Sequence, residues 1–152
     1  MNGFAPPVKK LGESGIGVAA APTGGMGLAL GPDGKVPASA LIGPWHEVGA
    51  TGEPAFENSW VNFGGGVPTV AFCIDAAGIV WLRGIPKNGT MAATIFTLPA
   101  GYAPVSALNI GTTAGPGGVV AARLQVSSTG AVIAAEGSNA GMLLDGLSFR
   151  ST

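Results

Sequence analysis

The sequence predicts an all-β domain, an antiparallel β-sandwich of jelly-roll type, carried behind an extended N-terminal arm. Three observations predict it. Glycine (27 residues) and proline (12 residues) are both abundant, which favours short strands and turns over helices. No stretch holds apolar residues at helical spacing for three turns, while several short runs alternate large and small side chains. Turn chemistry separates those runs at Asp75–Gly78, Asn88-Gly89, Pro99–Gly101 and Ser127–Gly130. A chain of 152 residues suits one domain with an appended arm.

Residues 1–43 are the expected arm. Glycines and prolines run throughout it, large apolar residues are few, and no alternation of two persists. Its glycines do not fall at every third position, which excludes a collagen helix. Such a segment buries too little of itself to offset its ordering entropy, so it is expected to be ordered by neighbours or not at all. Within it, Pro32-Asp-Gly-Lys35 predicts a turn, and Val36 to Ile42 an apolar lead-in to the next domain.

Residues 44–152 are the expected sandwich. Trp45, Phe56, Trp60 and Phe63 lie close together and are expected to anchor its core. Val70, Phe72 and Ile74 alternate with Ala71 and Cys73, a strand, and Asp75–Gly78 turns it into a hairpin with Ile79–Arg83. Thr90–Leu98 is β-branched and uncharged, and must stop at Pro99, which cannot donate to a ladder. Pro99-Ala-Gly-Tyr-Ala-Pro104 fixes a turn, and Val105–Ile110 is the next expected strand. Val119–Val126 and Ala131–Ala135 flank Ser127–Gly130 as a second hairpin. Leu143–Phe149 closes the fold, with Leu143, Leu147 and Phe149 on one face.

The second face carries an unusual signal. Ala71, Cys73, Ala93, Ala121 and Ala134 stand where a monomeric sandwich would show Lys, Glu or Thr. Charged residues make up 10% of the chain, against roughly 25% in a typical soluble domain. Both features lead us to expect that other subunits cover much of the surface, a homotrimer being the assembly predicted.

Composition also removes functions. A net charge of −1 without a basic cluster argues against nucleic acid. The single cysteine, Cys73, rules out an internal disulfide framework. The single histidine, His46, leaves no transition-metal ligand set. Gly12-Glu-Ser-Gly-Ile16 breaks the nucleophile-elbow pattern at its last position. Gly15-Ile-Gly-Val-Ala-Ala follows no strand, and the runs Gly64–Gly66 and Gly115–Gly118 lack the Lys-Ser/Thr of a phosphate loop. The acids lie in or beside turns, where solvated charge is their ordinary role. Lys9-Lys10 ahead of an apolar run is a poor signal-peptide match, because Glu13, Pro22 and glycines interrupt it. No apolar run approaches the ~20 residues that span a bilayer. We therefore expect no catalytic site, no cofactor, no metal, no nucleic-acid partner and no membrane insertion.

One resemblance reaches function. Phe56-Glu-Asn-Ser-Trp-Val-Asn62, a strand ending in Asp75, Gly78-Ile-Val-Trp-Leu-Arg-Gly84 and Ile95-Phe-Thr-Leu-Pro-Ala-Gly-Tyr-Ala-Pro104 follow in that order. The late Gly130-Ala-Val-Ile and closing Leu144-Asp-Gly-Leu-Ser-Phe149 continue the series. Over Trp45 to Phe149 the chain resembles the C-terminal head domain of tailed-bacteriophage receptor-binding or tail-fibre proteins. The resemblance implies a homotrimeric β-sandwich head on a virion, joined to other virion proteins through the arm and touching the host surface without catalysis. A host-surface glycan is the expected ligand. A capsid fibre or decoration protein without a small ligand is the alternative, and an envelope-sugar hydrolase ranks below both for want of a site.

For glycan contact the candidates are Trp60 and Asn62 beside Gly64–Gly66, and Asn88 in its turn. Tyr102 is the remaining candidate, although its turn reads as structural. An aromatic face stacks on the apolar face of a sugar while amides bond its hydroxyls. For Trp60 a core anchor is the competing reading, because tryptophan is highly buried on average.

Overall fold

The computed structural model of the chain describes residues 32–151. The arm expected over residues 1–43 therefore lies largely outside the described residues. Its last part is the turn at Pro32–Lys35, where the Lys35 amide donates to Asp33 Oδ1 (3.1 Å), and the short helix α1 (Ala38–Leu41). Ile42 already bridges Asp75, so the chain joins the sandwich there.

Ten strands follow: β1 (His46–Glu47), β2 (Val61–Asn62), β3 (Ala71–Ile74), β4 (Ile79–Arg83), β5 (Pro86–Lys87), β6 (Thr94–Thr97), β7 (Leu108–Ala114), β8 (Val120–Val126), β9 (Ala131–Glu136) and β10 (Ser148–Arg150). They form two four-stranded antiparallel sheets, ordered β1-β3-β4-β10 and β6-β9-β8-β7, and a separate β2-β5 ribbon. The all-β sandwich expected from sequence is the fold.

The period of two decides which side chains meet. Val80 and Leu82 on β4, Leu124 and Val126 on β8, and Val132 and Ala134 on β9 point into one buried cluster with Trp60, Phe72, Ile95 and Phe96. Arg123 and Gln125 stand on the opposite face of β8. Phe72 stacks on Phe96 across the sheets, with centroids 6.1 Å apart and planes at 15°. Burial of side chains this size, about 1.5–3 kcal/mol each, supplies the main driving force.

Both hairpin turns are built as their residues dictate. Asp75 Oδ1 accepts from the amides of Ala77 and Ile79 (2.9 Å each), closing the turn between β3 and β4. Ser127 Oγ accepts from the Ala131 amide (3.0 Å) between β8 and β9. Gly130 has φ +91°, and a Cβ there would fall 2.6 Å from the Leu98 carbonyl oxygen. Only glycine meets both conditions.

Four expectations are corrected. The strand expected over Val105–Ile110 starts at Leu108 and runs to Ala114, because its pairing with β8 begins at Leu108↔Val126. Of Leu143–Phe149 only the end is strand, since Asp145-Gly146 turns the chain and the Leu147 amide donates back to the Leu144 carbonyl (3.1 Å). Trp45 and Phe63 are not core anchors but are 38% and 39% exposed. Trp45 sits beside an edge strand with the Arg83 guanidinium 4.4 Å from its ring centroid, and Phe63 follows the end of the ribbon. Finally, of the five small second-face residues, Ala71, Cys73 and Ala134 are buried within the chain itself, while Ala93 is half-buried and Ala121 exposed. Ala134 faces the core, while Cys73 and Ala71 lie in register with Trp81 and Arg83, whose longer side chains flank them.

Candidate functional site

The β2-β5 ribbon gathers the candidate site. β2 pairs with β5 at Val61↔Lys87 and Asn62↔Pro86, and the Phe63 amide donates to the Ile85 carbonyl (2.9 Å). Gly64, Gly65 and Gly66 follow with φ of +77°, +67° and +87°, a run of left-handed residues that side-chain-bearing residues would resist. The chain therefore leaves Phe63 abruptly and the ring stays at the surface.

A second glycine turn closes the opposite wall. The Gly118 amide donates to Gly115 (3.0 Å), and the Gly115 amide donates to Gly141 (2.7 Å). Beside Phe63 lies a cavity of about 420 Å³, walled by Phe63, Ile85, Thr113 and Leu143 and by backbone at Gly115, Gly117, Gly118 and Gly141. A Cβ on Gly141 would reach within 3.3 Å of the Phe63 ring. The missing side chain thus lets backbone sit against the aromatic face. Lys87 Nζ lies 4.8 Å from the Phe63 centroid, a cation over that ring. None of the lining residues is an acid, a base or a nucleophile beyond the Thr113 hydroxyl. This chemistry suits binding, with an aromatic face, apolar walls and backbone polar groups.

The sequence-predicted residues fall in different places. Trp60 is 1% exposed and belongs to the core, so its indole offers no face to a sugar. A Cβ on Gly89 would lie 2.1 Å from that indole, which fixes glycine above it. Asn62 turns inward, and its Oδ1 accepts from the Val70 amide (2.7 Å), tying the ribbon to the approach to β3. Asn88 is exposed at φ +67°, and its amide donates to the Asn139 carbonyl (2.7 Å), while Asn139 Nδ2 donates to Gly89 (2.9 Å). Tyr102 belongs elsewhere: its partners are His46 and Phe72. Burial pushes its hydroxyl pKa up, and the Glu53 carboxylate adds to the rise.

The structure thus brings Asn62 and Asn88 to the same ribbon as Phe63 and Lys87, and places Trp60 in the core and Tyr102, half-buried, against His46 and Phe72. Sequence reasoning missed Phe63 as a cavity wall and Lys87 as the cation over its ring. The available signal was an aromatic followed at once by three glycines. Among the described residues no group of three or more His, Cys, Asp or Glu is placed to hold a metal.

No protein-family profile matches the chain, and no curated protein does. Among solved structures, the fold is similar to the crystal structure of the receptor binding protein gp15 of Listeria phage PSA. The TM-score is 0.58 at 15% identity, over 76% of this chain and 68% of that one. The likeness is one of fold.

Proposed function

We propose that this chain is a virion structural protein that attaches the particle to its host by binding a surface glycan, without catalysis. The observation that carries the reading is the fold shared with a phage receptor binding protein, which joins the order of motifs from Trp45 to Phe149. In this reading the chain works as a homotrimer, and its N-terminal arm docks on other virion proteins. Trimerisation turns weak single-sugar contacts into firm attachment, since linked sites gain apparent affinity by roughly 10² or more. The Phe63 cavity, with Asn88 on the same ribbon, is a contact surface presented once per subunit.

The test uses fluorescently labelled protein on a panel of bacterial strains, together with light scattering. The reading expects about three times the 14.8 kDa chain mass, strain-dependent binding, and no release of soluble saccharide from the cells. Phe63→Ala, still folded and of unchanged mass, binds less. A stable monomer that binds no strain, or progressive release of sugar fragments, overturns it.

A further inference from the structure

A second surface, on the outer face of the β1-β3-β4-β10 sheet, carries chemistry that the Phe63 cavity does not use. Cys73 on β3 is in register with Trp81 on β4, and Trp45, just before β1, flanks β3 on its other side. A small side chain in the middle strand between two tall ones leaves a trough. It measures about 340 Å³, with Trp45 and Trp81 among its walls and Arg83 and Cys73 beside them. Both indoles remain more than a third exposed.

Polar groups stand at both indoles and are underused. Trp81 Nε1 donates to Asp75 Oδ2 (3.1 Å), which sets a carboxylate at the edge of that ring. The amides of Ile79 and Ala77 take Oδ1, so Oδ2 has the Trp81 indole as its one partner among the described residues and retains accepting capacity. Backbone donation from Ile79, then the indole N–H, holds the Asp75 carboxyl below its ordinary pKa, so it is an acceptor at neutral pH. Over Trp45, the Arg83 guanidinium has one side-chain acceptor among the described residues, Glu47 Oε1 at 3.5 Å, and its buried Nε–H has none. A purely apolar occupant would desolvate these groups without pairing them.

We propose that the Trp45–Trp81 trough is a saccharide-binding site that takes one neutral hexopyranose ring. The ring's C–H face lies on an indole, a hydroxyl donates to Asp75 Oδ2, and another accepts from an Arg83 Nη. Two indoles, Trp81 beside an ionised acceptor and Trp45 beside an underpaired donor, match a sugar, which is apolar on its faces and hydroxylated around its rim. The inference rests on the glycan-attachment reading and adds to it a second contact surface on a different sheet.

The experiment titrates the full chain with glucose, galactose, N-acetylglucosamine and N-acetylgalactosamine, separately, following tryptophan fluorescence and saturation-transfer NMR. We expect saturable binding of at least one sugar, weakened about tenfold or more in Trp81→Ala and in Asp75→Asn, and retained in Phe63→Ala. Asp75→Asn keeps the Oδ1 acceptor of the turn, so it reports on binding even if Trp81→Ala folds poorly. Saturation by none of the sugars, or equal binding by the wild type and both trough variants, overturns the inference. So does a Trp81→Ala protein that loses only its oligomeric mass, which would make the face a contact between copies. Wild-type binding to cells, measured alongside, separates the two ideas: cell binding equal in Trp81→Ala removes the trough alone, and its absence in the wild type removes the attachment reading.

Discussion

The Tyr102 hydroxyl lies 3.0 Å from Nε2 of His46, joining the turn after β6 to the first strand of the opposite sheet. Glu53 stands 2.9 Å from Nδ1 of the same ring. A carboxylate there accepts from Nδ1–H, the tautomer in which Nε2 accepts from the tyrosine hydroxyl. The imidazole stacks on Phe72 at 5.2 Å, and the Tyr102 ring meets Phe72 edge-on at 5.0 Å. Leu98-Pro-Ala-Gly-Tyr102 is therefore a clasp between sheets.

Tyr102→Phe keeps the ring and removes the hydroxyl, so it is expected to lower unfolding free energy by about 1 kcal/mol. Cell binding stays at the wild-type level. Urea denaturation paired with the cell assay checks both halves, and unchanged stability with lost binding would reassign Tyr102 to the contact surface.

Asn62 and Asn88 separate in the same way. The Val70 amide is fully buried and bonds Asn62 Oδ1, so Asn62→Ala leaves that donor unpaired and costs about 1–3 kcal/mol. Asn88 is exposed and its side chain makes no hydrogen bond among the described residues. Asn88→Gly, which tolerates the left-handed backbone at φ +67°, is expected to preserve stability and to weaken cell binding. Thermal melts and the cell assay distinguish the two positions.

Stability falls on acidification for a traceable reason. The Asp75 carboxyl is held below its ordinary pKa first by the Ile79 amide and then by the Trp81 indole. Glu136 is held down by its bond to Arg123, 2.7 Å away, and by that residue's charge. A group with a depressed folded pKa contributes stability above its unfolded pKa and loses it as pH falls through the folded value. Melting temperature is therefore expected to hold from neutral pH to about pH 5 and to fall below it, as these carboxyls take up protons. Asp75→Asn lowers it at neutral pH and flattens the decline; an equally steep profile in that variant would remove Asp75 from the account.

The sandwich was legible because alternation and turn chemistry are local. Val70 to Arg83 shows its two strands and the Asp75–Gly78 turn in one stretch, and the structure follows it. The surface was less legible because burial is decided by distant partners. Trp60 and Phe63 are three residues apart and both read as core, yet Gly89 covers one while Gly141 only borders the other. Small residues at Ala71 and Cys73 suggested a foreign surface, whereas side chains of the same chain, Arg83 and Trp81, flank them. Trp45 and Trp81 became a trough only through the strand order, which no spacing in the sequence discloses.

The central claim is attachment to a host-surface glycan, and periodate treatment of cells tests it most directly. Periodate cleaves vicinal diols and so destroys sugar rings while sparing most protein epitopes. Labelled protein is bound to a susceptible strain before and after treatment, and to the same cells after protease digestion. The account predicts that binding is lost after periodate and kept after protease. Binding that survives periodate and disappears with protease would contradict it and make the receptor a protein.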